Sequence, residues 1–139
     1  MNLYLDSSSL LKLFLEERES HLVEQITRRA TAIYAALVAY AEARSGLARA
    51  LRTGRLTEDM YRETLIRFEA SWASFVSLDI SRGVVRLAGD LAEKHLLRGY
   101  DAVHLASAIT LQRELGEPVT FSAWDERLVS AAASEGLTL

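Results

Sequence analysis

Short apolar segments alternate along the whole chain with longer segments of helical periodicity. The apolar segments are residues 2–6, 31–34, 75–78 and 119–122, and residues 137–139 are a candidate edge strand. Helical patterns cover residues 8–17, 20–29, 37–54, 81–97, 101–115 and 126–134, and a further helix follows the capping residue Thr57. Short strands that are apolar on both faces and separated by helices form parallel sheets covered on both sides. The sequence therefore predicts an α/β fold, a three-layer sandwich with a short, mainly parallel central sheet of four to five strands flanked by helices.

Composition and continuity indicate one domain over residues 1–139, because no linker, repeat or low-complexity tract interrupts the pattern. Cysteine is absent, which excludes zinc–thiolate sites and disulfides and agrees with a cytoplasmic location. No signal peptide is recognisable, and no apolar run approaches the roughly 20 residues of a membrane span. We expect a soluble protein whose metal ligands, if it has any, are oxygen or imidazole.

Large apolar side chains recur at helical spacing in the segment that follows Thr57. They are Tyr61, Leu65, Phe68, Trp72 and Phe75. A stripe of this kind is typical of a helix face that packs on the core. The alternative is a groove for a partner helix.

Three aspartates stand where a strand ends or a helix begins. Asp6 follows the first predicted strand, Asp125 follows the strand at 119–122, and Asp101 opens the helix at 101–115. Ligands of open α/β sheets bind beyond the carboxyl ends of the strands. Each aspartate also suits the N-cap of a helix, and a cap role is compatible with a role in a site.

A fourth acid, Glu42, lies inside a predicted helix. Its neighbours one turn away are small or apolar, namely Val38, Ala39, Ser45 and Gly46. This is not the pattern of a freely solvated face, so Glu42 is a candidate for the same site. A structural ion pair with Arg44 or Arg49 is the alternative.

Convergence of these four carboxylates would require a cation. Two like charges about 4 Å apart repel by roughly 4 kcal/mol at an effective dielectric near 20. Oxygen ligands select a hard divalent ion, Mg²⁺ or Mn²⁺. Such an ion promotes attack of water on a phosphate. The four acids therefore predict metal-dependent hydrolysis of phosphodiester bonds.

Four segments together resemble the PIN-domain ribonucleases, and among them the VapC-type toxins of bacterial type II toxin–antitoxin systems. The segments are DSSSLLKLF, AYAEARSGL, RGYDAVHLASA and TFSAWDERL, in this order and over nearly the whole chain. The resemblance implies a PIN-like fold and an Mg²⁺-dependent endoribonuclease that cleaves RNA and is neutralised by a small antitoxin protein. It also implies a homodimer, to which the helix from Tyr61 to Phe75 could contribute, and leaves room for a larger toxin–antitoxin assembly.

The resemblance also assigns roles by position. Asp6 and Asp101 match the principal metal-binding aspartates, Glu42 matches the acid of the central helix and Asp125 the last acid, so that all four are predicted catalytic and metal-binding residues. Ser7 and Ser8 match small residues that support the first aspartate. Ser122 matches a supporting hydroxyl imperfectly, because Ala123 and Trp124 separate it from Asp125.

The sequence allows two interpretations for each of the other candidate site residues. His104, one helical turn beyond Asp101, is favoured as a hydrogen-bonded packing residue over a site residue. The arginines near Glu42 are favoured as solvated surface over a phosphate-contacting rim; they are Arg44, Arg49, Arg52 and Arg55. Trp124 could stack on a base or belong to the core. The rival function is a catalytically idle PIN-like module that only binds or scaffolds.

Overall fold

Four parallel strands form the central sheet of the computed structural model, which describes all residues, 1–139. They are β1 (Asn2–Leu5), β2 (Ala32–Ala36), β3 (Val76–Leu78) and β4 (Val119–Ser122), in the spatial order β3-β2-β1-β4. Leu3 of the inner strand β1 pairs with Ile33 on one side and Thr120 on the other. The strand order reverses between β1 and β4, and such a reversal opens a crevice at the carboxyl ends of the strands.

Seven helices cover the two faces of the sheet. They are α1 (Ser7–Lys12), α2 (Ser20–Arg29), α3 (Val38–Arg52), α4 (Glu58–Ser74), α5 (Arg82–His95), α6 (Gly99–Leu115) and α7 (Glu126–Ser134). None of them combines the length and apolar character that crossing a membrane requires.

The core has two parts because strand β1 is buried on both faces. Tyr4 points into the cluster with residues of α5, α6 and α7. Leu3 and Leu5 point the opposite way, into the cluster with residues of α1, α3 and α4. This is the alternation expected of a strand with helices on either side. The predicted three-layer α/β fold is confirmed.

The apolar stripe of α4 belongs to the second part of the core. Phe68 is fully buried, and the remaining members of the stripe pack against the cluster around it. The core interpretation of the stripe is therefore confirmed, and the alternative of a free groove is wrong. The exposed apolar side chains of α4, Met60 and Ile66, lie outside the stripe.

Two predicted elements differ in the structure. The helix predicted at 8–17 ends at Lys12, whose Nζ donates to the Arg18 carbonyl at 2.7 Å and lies 3.4 Å from a Glu19 carboxylate oxygen. The chain thus folds back on itself after one and a half turns. The edge strand predicted at 137–139 is reduced to a single parallel bridge between Thr138 and Thr120.

A glycine sets the close approach of α3 to α1. A Cβ atom at Gly46 would lie 2.6 Å from Leu11 Cδ1, so any larger residue would require Leu11 to move. Gly46 is one turn beyond Glu42 on α3, while Leu11 is one turn beyond Ser7 on α1. The glycine therefore allows Glu42 to reach the start of α1.

Candidate active site

Asp6 joins the end of β1 to the start of α1. Its backbone N–H donates to the Ser122 carbonyl at 3.1 Å, which continues the pairing of β1 with β4. Its carboxylate Oδ1 caps α1 by accepting the Ser9 N–H at 2.9 Å, and it also accepts the Ser8 hydroxyl at 2.7 Å. Asp6 is thus an N-cap, and Ser8 supports it.

The surroundings of the Asp6 carboxylate disfavour its charged form. Its side chain is buried and forms no ion pair with lysine or arginine. Burial raises the pKa of Asp6 above its ordinary value, and the negative charge of Asp101 acts in the same direction. The hydrogen bonds from Ser9 and Ser8 and the proximity of His104 oppose this rise without cancelling it. A positive ion in the vicinity would favour the charged form.

The other two aspartates stand at helix starts, as predicted, but only one of them is a cap. Asp125 caps α7 through Oδ1, which accepts the Leu128 N–H at 3.0 Å. Asp101 lies in the first turn of α6, whose N-cap is Arg98, so the cap interpretation of Asp101 is wrong. Arg98 Nε lies 3.3 Å from Asp101 Oδ2, and the arginine side chain is itself largely exposed.

Glu42 on α3 is held at both carboxylate oxygens. Ser7 donates its hydroxyl hydrogen to Oε2 at 3.1 Å, and His104 Nε2 lies 2.8 Å from Oε1. The alternative of an ion pair with arginine is wrong, because Arg44 pairs with Glu69 at 3.0 Å and Arg49 is exposed with no carboxylate partner. Glu42 is instead tied to α1 and α6.

These contacts determine the charge of Glu42. Its partial burial opposes ionisation, but the hydrogen bonds from His104 and from the Ser7 hydroxyl hold the pKa of Glu42 below its ordinary value. Asp6 and Glu42 thus have pKa values shifted in opposite directions. Glu42 is the carboxylate whose surroundings already stabilise the anion.

His104 is the site residue that the sequence reasoning did not favour. It is a hydrogen-bonded packing residue, as predicted, but its partner is the site acid Glu42. Its second nitrogen, Nδ1, lies 2.8 Å from the Tyr4 hydroxyl. The available signal was its position one helical turn beyond Asp101, which places both residues on the same face of α6.

All four predicted acids line one cavity of about 760 Å³, here called the acidic cavity. Ser7 and Ser8 also line it, as do Val85, Ala88 and Ala92 of α5. The cavity lies at the carboxyl ends of β1 and β4, where the strand order reverses. Residues that are far apart in the chain therefore reach one space.

Two recesses adjoin the acidic cavity and share residues with it. One, of about 600 Å³, continues past Asp101 and Asp125 to Arg98 and Arg127. The other, of about 500 Å³, continues past Glu42 to Arg49. Each recess shares a different set of residues with the acidic cavity, and the three spaces are here called the trough, with arginines in both recesses and the four acids between them. Of the four arginines considered as a rim, only Arg49 lines it.

The supporting residues divide into two kinds. Ser7 and Ser8 donate directly to site carboxylates. Ser122 does not contact an acid with its side chain; its Oγ lies 2.7 Å from Ser9 Oγ. Trp124 is partly exposed on the wall between the acidic cavity and one recess, and Lys12 Nζ lies 5.3 Å from the centre of its ring.

The donor set fits a hard divalent cation in its chemistry. All four candidates are carboxylates, and the buried Asp6 has no cationic side chain paired with it. No three acidic or histidine side chains are close enough together to hold one ion in the conformation described. Asp101 faces Arg98 and Glu42 faces His104 and Ser7, so these contacts orient two of the four donors.

Comparison with known proteins identifies the family of this chain. Residues 3–118 match the PIN domain family. The chain is 36% identical over 134 residues to Ribonuclease VapC45 of Mycobacterium tuberculosis, covering 96% of this chain and 90% of that protein. The chain therefore belongs to the PIN domain family, and its predicted resemblance to the VapC-type members is confirmed. Dependence on a divalent metal ion is a general property of these proteins.

Solved structures share the fold at low sequence identity. The crystal structure of Mycobacterium tuberculosis VapC20, a sarcin–ricin loop cleaving toxin, has a TM-score of 0.65 at 13% identity and covers 94% of this chain and 95% of its own. A toxin–antitoxin complex from Klebsiella pneumoniae has a TM-score of 0.56 at 16% identity, covering 86% and 84%. These similarities concern the fold alone.

Proposed function

We propose that the protein is a metal-dependent endoribonuclease, the toxin of a toxin–antitoxin pair, and that Mg²⁺ or Mn²⁺ is its cofactor. The observation that carries this proposal is the presence of four carboxylates from distant segments in one cavity. Membership of the PIN domain family and the ribonuclease identity of a relative support it. No observation favours the idle binding module.

The proposal gives each acid a role in binding the ion. Asp6 and Asp101 are the principal ligands, because their negative charges repel each other and Asp6 lacks a cationic partner. Glu42 and Asp125, each of which also lines a different one of the two recesses, complete the set. When bound, a divalent ion would stabilise negative charge on a phosphate group and increase the acidity of water.

The reaction is hydrolysis of a phosphodiester bond. The oxygen of a water molecule forms a bond to phosphorus, and the bond between phosphorus and one ribose oxygen breaks. The water loses a proton, and the departing oxygen gains one. Glu42 suits the orientation of that water, since it is ionised and its position is fixed by Ser7 and His104.

The trough on either side of the acids fits a single RNA strand. Arg49 at one end and Arg98 with Arg127 at the other suit contacts to phosphates, and these contacts position a nucleic acid without reading its sequence. Tyr100 and Trp124 are exposed aromatic side chains on the trough walls, on which unpaired bases could stack. The same trough is the proposed docking place for a segment of the antitoxin.

The direct test is cleavage of RNA by the purified protein. We expect cleavage with Mg²⁺ or Mn²⁺ and none with a chelator. Asp101→Asn should reduce cleavage to background, whereas Asp59→Asn, which changes an exposed acid on α4, should not. Equal cleavage by the wild type and Asp101→Asn, or cleavage that the chelator leaves unchanged, would remove this function.

The proposed toxin role has a separate test. Expression of the protein alone should arrest bacterial growth, and co-expression of its antitoxin should restore it. Growth arrest by Asp101→Asn equal to that by the wild type would contradict a toxic nuclease. A cytoplasmic location and a homodimer remain predictions; light scattering of the purified protein would measure the second.

A further inference from the structure

His104 connects three elements of the fold through buried contacts. Its side chain is 1% exposed and belongs to α6. One ring nitrogen, Nδ1, lies 2.8 Å from the hydroxyl of Tyr4 on β1, and the other, Nε2, lies 2.8 Å from Oε1 of Glu42 on α3. The histidine is therefore the only side chain that links the central strand to this acid of the cavity.

The direction of these hydrogen bonds follows from the groups involved. An ionised carboxylate only accepts hydrogen bonds, so Nε2 of His104 must carry a hydrogen and donate it to Glu42. In a neutral imidazole the other nitrogen, Nδ1, is then an acceptor. A tyrosine hydroxyl carries its hydrogen at neutral pH, so the Tyr4 hydroxyl, 2.8 Å from Nδ1, can donate to it. The three groups thus form a chain of donors that points from the core to the acidic cavity.

This chain of hydrogen bonds, together with Ser7, restricts the Glu42 side chain. His104 occupies one lone pair of Oε1, and Ser7 occupies one lone pair of Oε2. Each oxygen keeps a second lone pair, and Glu42 lines the acidic cavity. A glutamate without these two donors would be free to exchange among its staggered rotamers.

We propose that His104 is a positioning residue that holds the Glu42 carboxylate towards the acidic cavity, and that Tyr4 selects the ring tautomer that allows this. The consequence for catalysis rests on the proposed function, which places Glu42 at the reaction. The hydrogen-bond arrangement itself does not rest on it and is measurable in the metal-free protein. The two claims can therefore fail separately.

The kinetic test compares substitutions of two histidines that contact glutamates. His104→Ala should lower kcat for RNA cleavage by about 10- to 100-fold, the usual effect of removing a group that orients a ligand, and leave KM unchanged. His104→Gln, whose amide N–H can donate to Glu42, should recover part of the loss. The control is His95→Ala, because His95 Nε2 lies 2.8 Å from Glu135 Oε1 outside the cavity. That variant should keep the wild-type kcat.

A second substitution covers the case in which His104→Ala does not fold. Tyr4→Phe keeps the ring that packs on Phe121 and removes only the hydroxyl. It should lower kcat by a smaller factor than His104→Ala. A folded His104→Ala variant with wild-type kcat, or loss of activity through KM alone, would overturn the positioning role. Wild-type kcat in Tyr4→Phe would overturn the role of Tyr4.

The hydrogen-bond arrangement is tested by nuclear magnetic resonance on the metal-free protein labelled with ¹⁵N at histidine. Long-range correlations should show a hydrogen on Nε2 of the His104 ring, and Glu42→Gln should shift that resonance. A hydrogen on Nδ1 instead would overturn the proposal, whether or not the protein cleaves RNA. Absence of RNA cleavage by the wild type would remove the proposed function and leave this result standing.

Discussion

The backbone N–H of Asp6 donates a hydrogen bond to the carbonyl oxygen of Ser122 at 3.1 Å. This contact lies at the carboxyl ends of β1 and β4, on the two sides of the point where the strand order reverses. It fixes the start of α1 beside the loop that carries Asp125. Two of the four acids therefore take their positions from the pairing of two strands that are more than a hundred residues apart.

A hydroxyl pair reinforces the same junction and provides the first prediction. Ser9 Oγ and Ser122 Oγ are 2.7 Å apart, and both side chains are buried. Ser122→Ala should destabilise the protein by about 1–3 kcal/mol, because the Ser9 hydroxyl is left buried without this partner. Urea unfolding measures the change. The double substitution of both serines by alanine should cost less than the sum of the single changes, and strict additivity would contradict a direct bond.

Asp6 leads to a prediction about stability with and without metal ions. Because burial raises its pKa, ionisation of Asp6 destabilises the fold; this penalty is complete above the folded-state pKa and declines as the pH falls from there towards the ordinary value of 3.8. Without metal at neutral pH, Asp6→Asn should therefore melt no lower than the wild type, since asparagine also caps a helix. Asp6→Ala should lose about 1 kcal/mol relative to Asp6→Asn, through loss of the cap.

Addition of Mn²⁺ should raise the melting temperature of the wild type above that of either Asp6 variant. A ligand at 100 times its dissociation constant stabilises the native state by about 2.7 kcal/mol. The wild type should show a rise in melting temperature on titration with Mn²⁺, and neither Asp6 variant should show it. An equal rise in all three proteins would place the ion elsewhere.

Glu135 makes the stability of the fold depend on pH, at a position outside the candidate site. Hydrogen bonds from Lys94 at 2.6 Å and His95 at 2.8 Å hold the pKa of Glu135 below its ordinary value of 4.5. Because this pKa is lowered, the interactions of Glu135 with Lys94 and His95 stabilise the fold above pH 4.5. This stabilisation is lost as the pH falls through the lower folded-state pKa of Glu135. Glu135→Gln should cost up to about 1 kcal/mol at neutral pH. Thermal melts from neutral to acidic pH should show the difference from the wild type shrinking, and a difference independent of pH would contradict this.

Arg49 tests the proposed path of the RNA. Its side chain lines the recess beyond Glu42, whereas Arg52, on the last turn of the same helix, lines neither recess nor the acidic cavity. Arg49→Ala should weaken binding of single-stranded RNA and reduce the slope of log affinity against log salt by about 0.7, the value for one phosphate contact. Fluorescence anisotropy at several salt concentrations, with a catalytically inactive background, measures both. An equal loss in Arg52→Ala would indicate a general charge effect instead.

Much of the fold could be predicted because its information is local. The apolar segment 2–6 and the capping residues Thr57 and Asp125 mark element boundaries by side-chain type alone. The extended prediction for the first helix failed because residues 13–19, LFLEERE, contain no glycine or proline that would end a helix, while the turn there depends on a contact of Lys12 with the Arg18 carbonyl. Such a contact has no periodic signature.

The candidate site was predictable in its acids but not in their contacts. Asp6 and Asp125 follow strands, so the topology of a parallel sheet brings them to one edge. The bond between Glu42 and His104 joins residues 62 positions apart on two helices, and nothing in either segment specifies the partner. The same holds for Arg98, whose contact with Asp101 depends on the side-chain conformation at the start of α6.

The central claim is that carboxylates in the acidic cavity hold a divalent metal ion. Anomalous diffraction from crystals soaked in Mn²⁺ measures this directly, because the manganese position is located independently of the protein atoms. The account predicts an anomalous peak in the acidic cavity, in contact with Asp6 and Asp101, that is absent from crystals of Asp6→Asn. A fully soaked crystal with no peak in this cavity, or with a peak that persists in Asp6→Asn, would contradict it.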